Sequence, residues 1–148
     1  MKTSRQINAE RKKAGLPPLN FPLFRKVIKK LETAPEAYRQ TTTASRDNSA
    51  PCGTAACIGG WADILSGAGD LKKARVSLNR AADRLGLNGM MWAEEDDTER
   101  AILFDGDPSD VWPQPFASQW SRAHTRERRA RVAIRYLKRI ITTGKVLE

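Results

Sequence analysis

At 148 residues the chain has the length of one ordinary domain, enough to bury a single continuous core. Hydrophobic residues make up 40% of it, which argues against disorder, and 26 Lys and Arg against 17 Asp and Glu give a net charge of +9, a surplus that favours polyanionic partners. Two cysteines and one histidine are too few for a disulfide scaffold or a Cys/His zinc site, and no apolar stretch approaches the ~20 residues that span a bilayer.

The start, Met1-Lys2-Thr3-Ser4-Arg5-Gln6, has no hydrophobic run, so the expectation is a cytoplasmic protein with reduced thiols and no membrane partner. Residues 1–19 read as a basic N-terminal arm. Ser4 to Ala14 can form a short helix capped by Gly15, but its only large apolar residue is Ile7, and Leu16-Pro17-Pro18-Leu19 breaks it. The reading expected is a solvated tail; the functional alternative is an arm that orders on a polyanion through Arg5, Arg11, Lys12 and Lys13.

Residues 20–148 read as one helical domain. Asn20 is a good N-cap and Pro22 sits in the first turn, so the spacing predicts a helix over 21–33, with Phe24, Val27, Ile28 and Leu31 as its buried stripe. Pro35–Tyr38 adds one more turn, and Gln40 to Ala50 is a polar loop. The stretch from Pro51 to Leu65 is the least polar in the chain. It predicts a central helix of small residues with Cys57, Ile58, Trp61, Ile64 and Leu65 on one face.

After Ser66-Gly67-Ala68-Gly69, Asp70 caps a helix in which Leu71, Ala74, Leu78, Ala81, Ala82 and Leu85 repeat at helical spacing up to Gly86. Shorter helical pieces follow around Met90–Trp92 and after Asp97 or Thr98. Pro108, Pro113 and Pro115 restrict 105–116 to loop with at most one helical turn. Gln119 and Trp120 suggest a short helix. Thr125 and Gly144 bound the last one, with Ala130, Ala133, Ile134, Leu137, Ile140 and Ile141 on one side. No segment alternates with period two. The fold class expected is therefore all-α: a compact bundle of about six helices around the small-residue central one.

Charge is segregated along the sequence. Eight acids lie between 94 and 110 against Arg100 alone, and eight bases lie between 122 and 139 against Glu127. At about 100° per residue, Arg128, Arg131, Arg135, Lys138 and Arg139 project within one broad sector opposite the apolar stripe. Only Arg131 has an acid at i,i+4, Glu127; the other four have none. They face water, the acidic segment of the same chain, or an outside polyanion.

Other motifs carry less. Ala82-Asp83-Arg84-Leu85-Gly86-Leu87 has the spacing of a helix-turn-helix turn, but the segment that would enter the groove carries Glu94, Glu95, Asp96 and Asp97, the wrong charge for reading DNA. It reads instead as a helix end with a packed Leu87. Cys52 before a helix, with His124 as base, is the minimum for a cysteine hydrolase, yet no orienting partner or nucleophile turn accompanies them. The reading expected is two small, buried, soft residues in a tight helix crossing. The acids of Asp105-Gly106-Asp107-Pro108-Ser109-Asp110 lack the ligand ladder of a calcium loop. Trp112 and Trp120, near Arg122 and Arg126, either stack on bases or anchor a loop to the core; the second is expected.

Taken together, Cys52-Gly53-Thr54, Cys57-Ile58-x-Gly60-Trp61, Leu85-Gly86-Leu87, Leu103-Phe104 and Trp112-Pro113 resemble a set of small bacterial and phage proteins with no established activity. The resemblance covers about residues 20–145. It implies a shared helical fold and a phage or mobile-element origin, and it transfers no catalytic residue. The function expected is a non-enzymatic basic module that binds nucleic acid or an acidic or nucleoprotein partner, with no cofactor and no metal. The alternatives are a small phage or mobile-element protein that binds and inhibits a host or defence protein, and a cysteine-dependent hydrolase.

Overall fold

The computed structural model describes residues 1–40, 45–46, 54–55, 57–67, 77–89, 98–103 and 108–147. Seven α-helices run through them: α1 (Ser4–Lys13), α2 (Phe21–Thr33), α3 (Ile58–Leu65), α4 (Leu78–Leu85), α5 (Pro108–Val111), α6 (Phe116–Arg122) and α7 (Arg126–Thr143). Single 3₁₀ turns lie at Pro35–Ala37 and Glu99–Leu103, and Ser45–Arg46 pairs antiparallel with Thr54–Ala55. The class is all-α.

The two longest helices start and stop where their sequences dictate. Asn20 accepts the Leu23 N–H at 3.2 Å and Pro22 fills the first turn of α2. Thr125 accepts the Arg128 N–H at 3.2 Å, and Gly144 ends α7 at φ +74. Val27, Ile28 and Leu31 of α2 and Ala133, Tyr136, Leu137 and Ile140 of α7 are all buried in the core. These two helices pack on each other, and α3 lies against α2 and α4.

Aromatic side chains close one end. Trp112 and Trp120 meet edge to face at 5.2 Å, Trp120 meets Tyr38 at 5.8 Å, and Tyr136 lies 4.9 Å from Trp112 and 5.1 Å from Phe116. Trp112 donates its indole N–H to the Ile102 carbonyl at 3.2 Å. Both tryptophans are thus core anchors, Trp112 just after α5 and Trp120 within α6, buried beyond the reach of a base.

Three expectations need correction. The central helix does not run from residue 51 or 52: it begins at Ile58, because Cys57 takes extended backbone and serves as its N-cap, its Sγ accepting the Gly60 N–H at 3.3 Å. The helix expected from Asp70 to Leu85 begins only at Leu78. Ser77 is extended, caps Arg80 through its hydroxyl, and donates its own N–H to Asp63 at 2.9 Å. Leu71 and Ala74 fall outside the described residues, as do Cys52, Asp70 and the Met90–Trp92 piece.

The third correction concerns the arm. Thr3 and Gln6 form a reciprocal capping box at the start of α1, and Ile7 is buried against Gly144 and the core. Arg11 is 3% exposed, and all five of its N–H donors are used. Nε donates to the Pro17 carbonyl at 2.8 Å, Nη1 to Glu99 at 2.8 Å and Gly144 O at 3.2 Å, and Nη2 to Gly86 O at 3.0 Å and Glu99 at 2.8 Å. One guanidinium therefore ties α1 to the C-terminal ends of α4 and α7 and to the 3₁₀ turn at 99–103. The arm is docked, and it is not a solvated tail.

Candidate functional site: a basic groove between α6 and α7

The apolar side of α7 faces α2, α6 and the 3₁₀ turn at Pro35–Ala37. Burying that side leaves Arg128, Arg131, Arg135 and Lys138 exposed and Arg139 half-buried. The five cations that the sequence places in one sector then separate according to their neighbours. Lys138 leans towards α2, with Nζ 3.9 Å from Glu32. Both groups are about half in water, so this pair adds little. Arg139 lies over the Phe116 ring, 5.5 Å from its centroid.

Arg128, Arg131 and Arg135 stay together. With Gln119, Arg122 and Ala123 from α6 and its end, and Val132 from α7, they line an open groove of about 270 Å³. Its floor is apolar, since Ala123 and Val132 are buried. Its walls are cationic. Arg135 donates twice to Gln119 Oε1, at 3.3 and 3.1 Å, which stands its guanidinium up from α7 against α6. Among the described residues, the side chains of Arg122, Arg128 and Arg131 meet no acceptor. The N-terminal end of α7 adds the positive end of an 18-residue helix dipole to this field. Arg122 is the member that a single-helix argument misses: it stands on a different element, and only its place in the run of bases at 122–139 pointed to it.

On the other flank of α7, Tyr38, Arg39, Gln40, Trp120, Arg126 and Arg129 surround a second hollow of about 280 Å³. Two of its arginines are structural ties. Arg126 donates to the Glu36 carbonyl at 3.2 Å, and Arg129 donates to Ala123 O at 3.0 Å while covering the Trp120 ring at 5.2 Å. Burial pushes the Tyr38 hydroxyl well above its ordinary range, Cys57 adds to the rise and Arg129 opposes it. Tyr38 is therefore a neutral donor, bonded to Gln40 Oε1 at 2.8 Å.

The remaining site residues expected from sequence lie elsewhere. Arg5, Lys12 and Lys13 are exposed on α1, but Arg11 is buried on Glu99 and cannot meet a partner. α1 packs at the C-terminal end of α7, through Ile7 and Arg11 at Gly144. Arg128 and Arg135 precede Gly144 by 16 and 9 residues, so the groove arginines lie about 14–24 Å along the helix axis from the point where α1 packs. Of the acidic segment, Glu99 docks on α1 and not on the basic helix; Glu94, Glu95, Asp96, Asp97, Asp105 and Asp107 lie outside the described residues.

Cys57 is buried, and His124 is exposed in the connection between α6 and α7. Among the described residues no group of three or more His, Cys, Asp or Glu side chains is placed to hold a metal ion, and no helix is long and apolar enough to cross a membrane. Comparison with protein-family models, with curated proteins and with solved structures gives no match for the chain.

Proposed function

We propose that the chain is a non-enzymatic basic binding module that engages nucleic acid or a nucleoprotein complex through the groove between α6 and α7. One observation carries this reading: Arg122, Arg128 and Arg131 stand exposed around a single groove with no acceptor among the described residues, and Arg135 is fixed beside them by Gln119. Guanidinium is the side-chain group best shaped for phosphate, because its planar fork donates two parallel bonds to one anion. Four of them held at one site cost electrostatic repulsion. Glu127 is the one carboxylate beside them on α7, no ion pair joins it to them among the described residues, and a polyanion would relieve the repulsion.

Affinity purification of the intact protein from lysate, with and without nuclease, tests the reading. Nucleic acid recovered with the protein, and co-purifying proteins lost on nuclease treatment, are the expected result. A protein partner retained in full after nuclease, with no nucleic acid bound, contradicts it and favours a protein-binding adaptor or inhibitor.

A further inference from the structure

We infer that the groove holds the sugar-phosphate backbone of duplex DNA and does not read its bases; this rests on the nucleic-acid reading above. Three observations favour a duplex backbone over base reading and over single strands. The first is shape. An element that reads bases must protrude, because the major groove admits a helix only when the helix stands clear of its own protein. α7 does not. It is packed by α1, α2, α6 and the Pro35–Ala37 turn, and Arg128, Arg131 and Arg135 line a depression beside α6. A concave, cationic strip fits the convex ridge of a phosphate backbone.

The second observation is chemical. Single-strand binding depends on exposed aromatic faces on which bases stack. Tyr38, Trp61, Trp112, Phe116, Trp120 and Tyr136 are all buried, at 6% exposure or less. Among the described residues no aromatic ring is offered beside the arginines. Gln119, the one amide in the groove, is engaged by Arg135 and is not free to read adenine.

The third is spacing. Arg128, Arg131 and Arg135 stand at i, i+3 and i+7, so the row runs along α7 for about 10 Å. One strand of a duplex carries about three phosphates over that length of axis, and Arg122 across the groove can meet a fourth contact. Backbone contacts position a protein without specifying sequence. The surface thus suits a protein that coats or follows DNA.

Fluorescence anisotropy with the full chain decides this. The probes are two labelled 24-base-pair duplexes of unrelated sequence and their separated single strands, titrated over a range of NaCl. Affinity for the two duplexes should agree within about three-fold, and each single strand should bind at least about ten-fold more weakly. With four phosphate contacts the slope of log K against log salt should be about −3 to −4. The triple variant Arg128→Gln, Arg131→Gln, Arg135→Gln should lose most of that slope, and the triple Arg→Lys variant should retain it. Circular dichroism of both confirms folding, since all three positions are exposed.

Preference for single strands, or a ten-fold or greater difference between the two duplexes, overturns the inference and leaves the nucleic-acid reading standing. An unchanged slope in the folded Gln variant overturns the assignment to this groove. Absence of saturable binding to any of these probes overturns the inference and the reading beneath it together.

Discussion

Replacing Arg11 by Met tests the tie on which the N-terminal helix depends. The Met side chain keeps the apolar stem and removes all five donors. Two charge-assisted bonds to Glu99 are lost, and the carbonyls of Pro17, Gly86 and Gly144 each lose an N–H. Glu99 then stays buried, with the Asn88 N–H at 2.9 Å as its remaining described donor. Removing one partner of a buried ion pair costs about 3–5 kcal/mol, because the other charge is left in a poor solvent. A domain of this size is stable by about 5–15 kcal/mol, so the loss is a large share of the total. At about 2–4 °C per kcal/mol it lowers Tm by roughly 10 °C.

The assay is a double-mutant cycle with Glu99→Leu, followed by urea denaturation. Arg11→Met with Glu99→Leu should be no less stable than Arg11→Met alone, since the stranded carboxylate is gone. A loss below about 1 kcal/mol in the single variant, or strict additivity of the two, would refute the account of Arg11 as the clamp between helices.

Glycine substitutions separate steric from conformational cost. Gly86→Ala places a methyl at φ +83 against the Pro18 carbonyl and should cost about 2–4 kcal/mol, whereas Gly15→Ala, at φ +75 with nothing within 4 Å, should cost about 1 kcal/mol by thermal denaturation. Asp63 is buried between α3 and α4. Burial alone would raise its carboxyl, but the hydrogen bonds from Arg80 and Ser77 and the charges of Arg80 and Arg84 hold it below its ordinary value. A depressed folded value stabilises above the unfolded value of about 4 and loses that stabilisation as pH falls through the folded one. The Tm difference between wild type and Asp63→Asn should therefore be full at pH 7 and shrink below about pH 4; a difference that stays constant down to pH 2 would contradict the assignment. Cys57→Leu should cost about 1–3 kcal/mol by overpacking a fully buried cap, while Cys57→Ser, which can keep the Gly60 bond, should cost less in the same chemical denaturation series.

What the sequence made legible follows from how local each signal is. α2 and α7 carry their caps, their stop signals and their apolar stripes within their own residues, so their bounds were readable from Asn20, Pro22, Thr125 and Gly144. The start of α4 was not. Leu71, Ala74 and Leu78 continue a helical repeat across Ser77, and the break there depends on a carboxylate from another helix, Asp63, taking the Ser77 N–H. Arg11 misled for the same reason. In sequence it is one base among several on a polar segment, and its partner Glu99 is 88 residues away. The arginine row on α7 was visible from helical spacing, yet that spacing could not separate Arg135, which turns to Gln119, from Lys138, which turns to Glu32. The groove itself arises only when α6 lies down beside α7 and brings Arg122 with it.

The most direct test of the groove compares two charge reversals of equal size. Arg128→Glu, Arg131→Glu, Arg135→Glu alters the groove; Arg5→Glu, Lys12→Glu, Lys13→Glu alters α1 at the far end of α7. Each lowers the net charge of +9 by six, so a non-specific attraction would respond to both alike. Measured by anisotropy on one duplex at about 0.15 M salt, the groove variant should bind roughly 100-fold more weakly or not at all, and the α1 variant should lose only a few-fold. Equal losses in the two variants, or a larger loss in the α1 variant, would contradict the account.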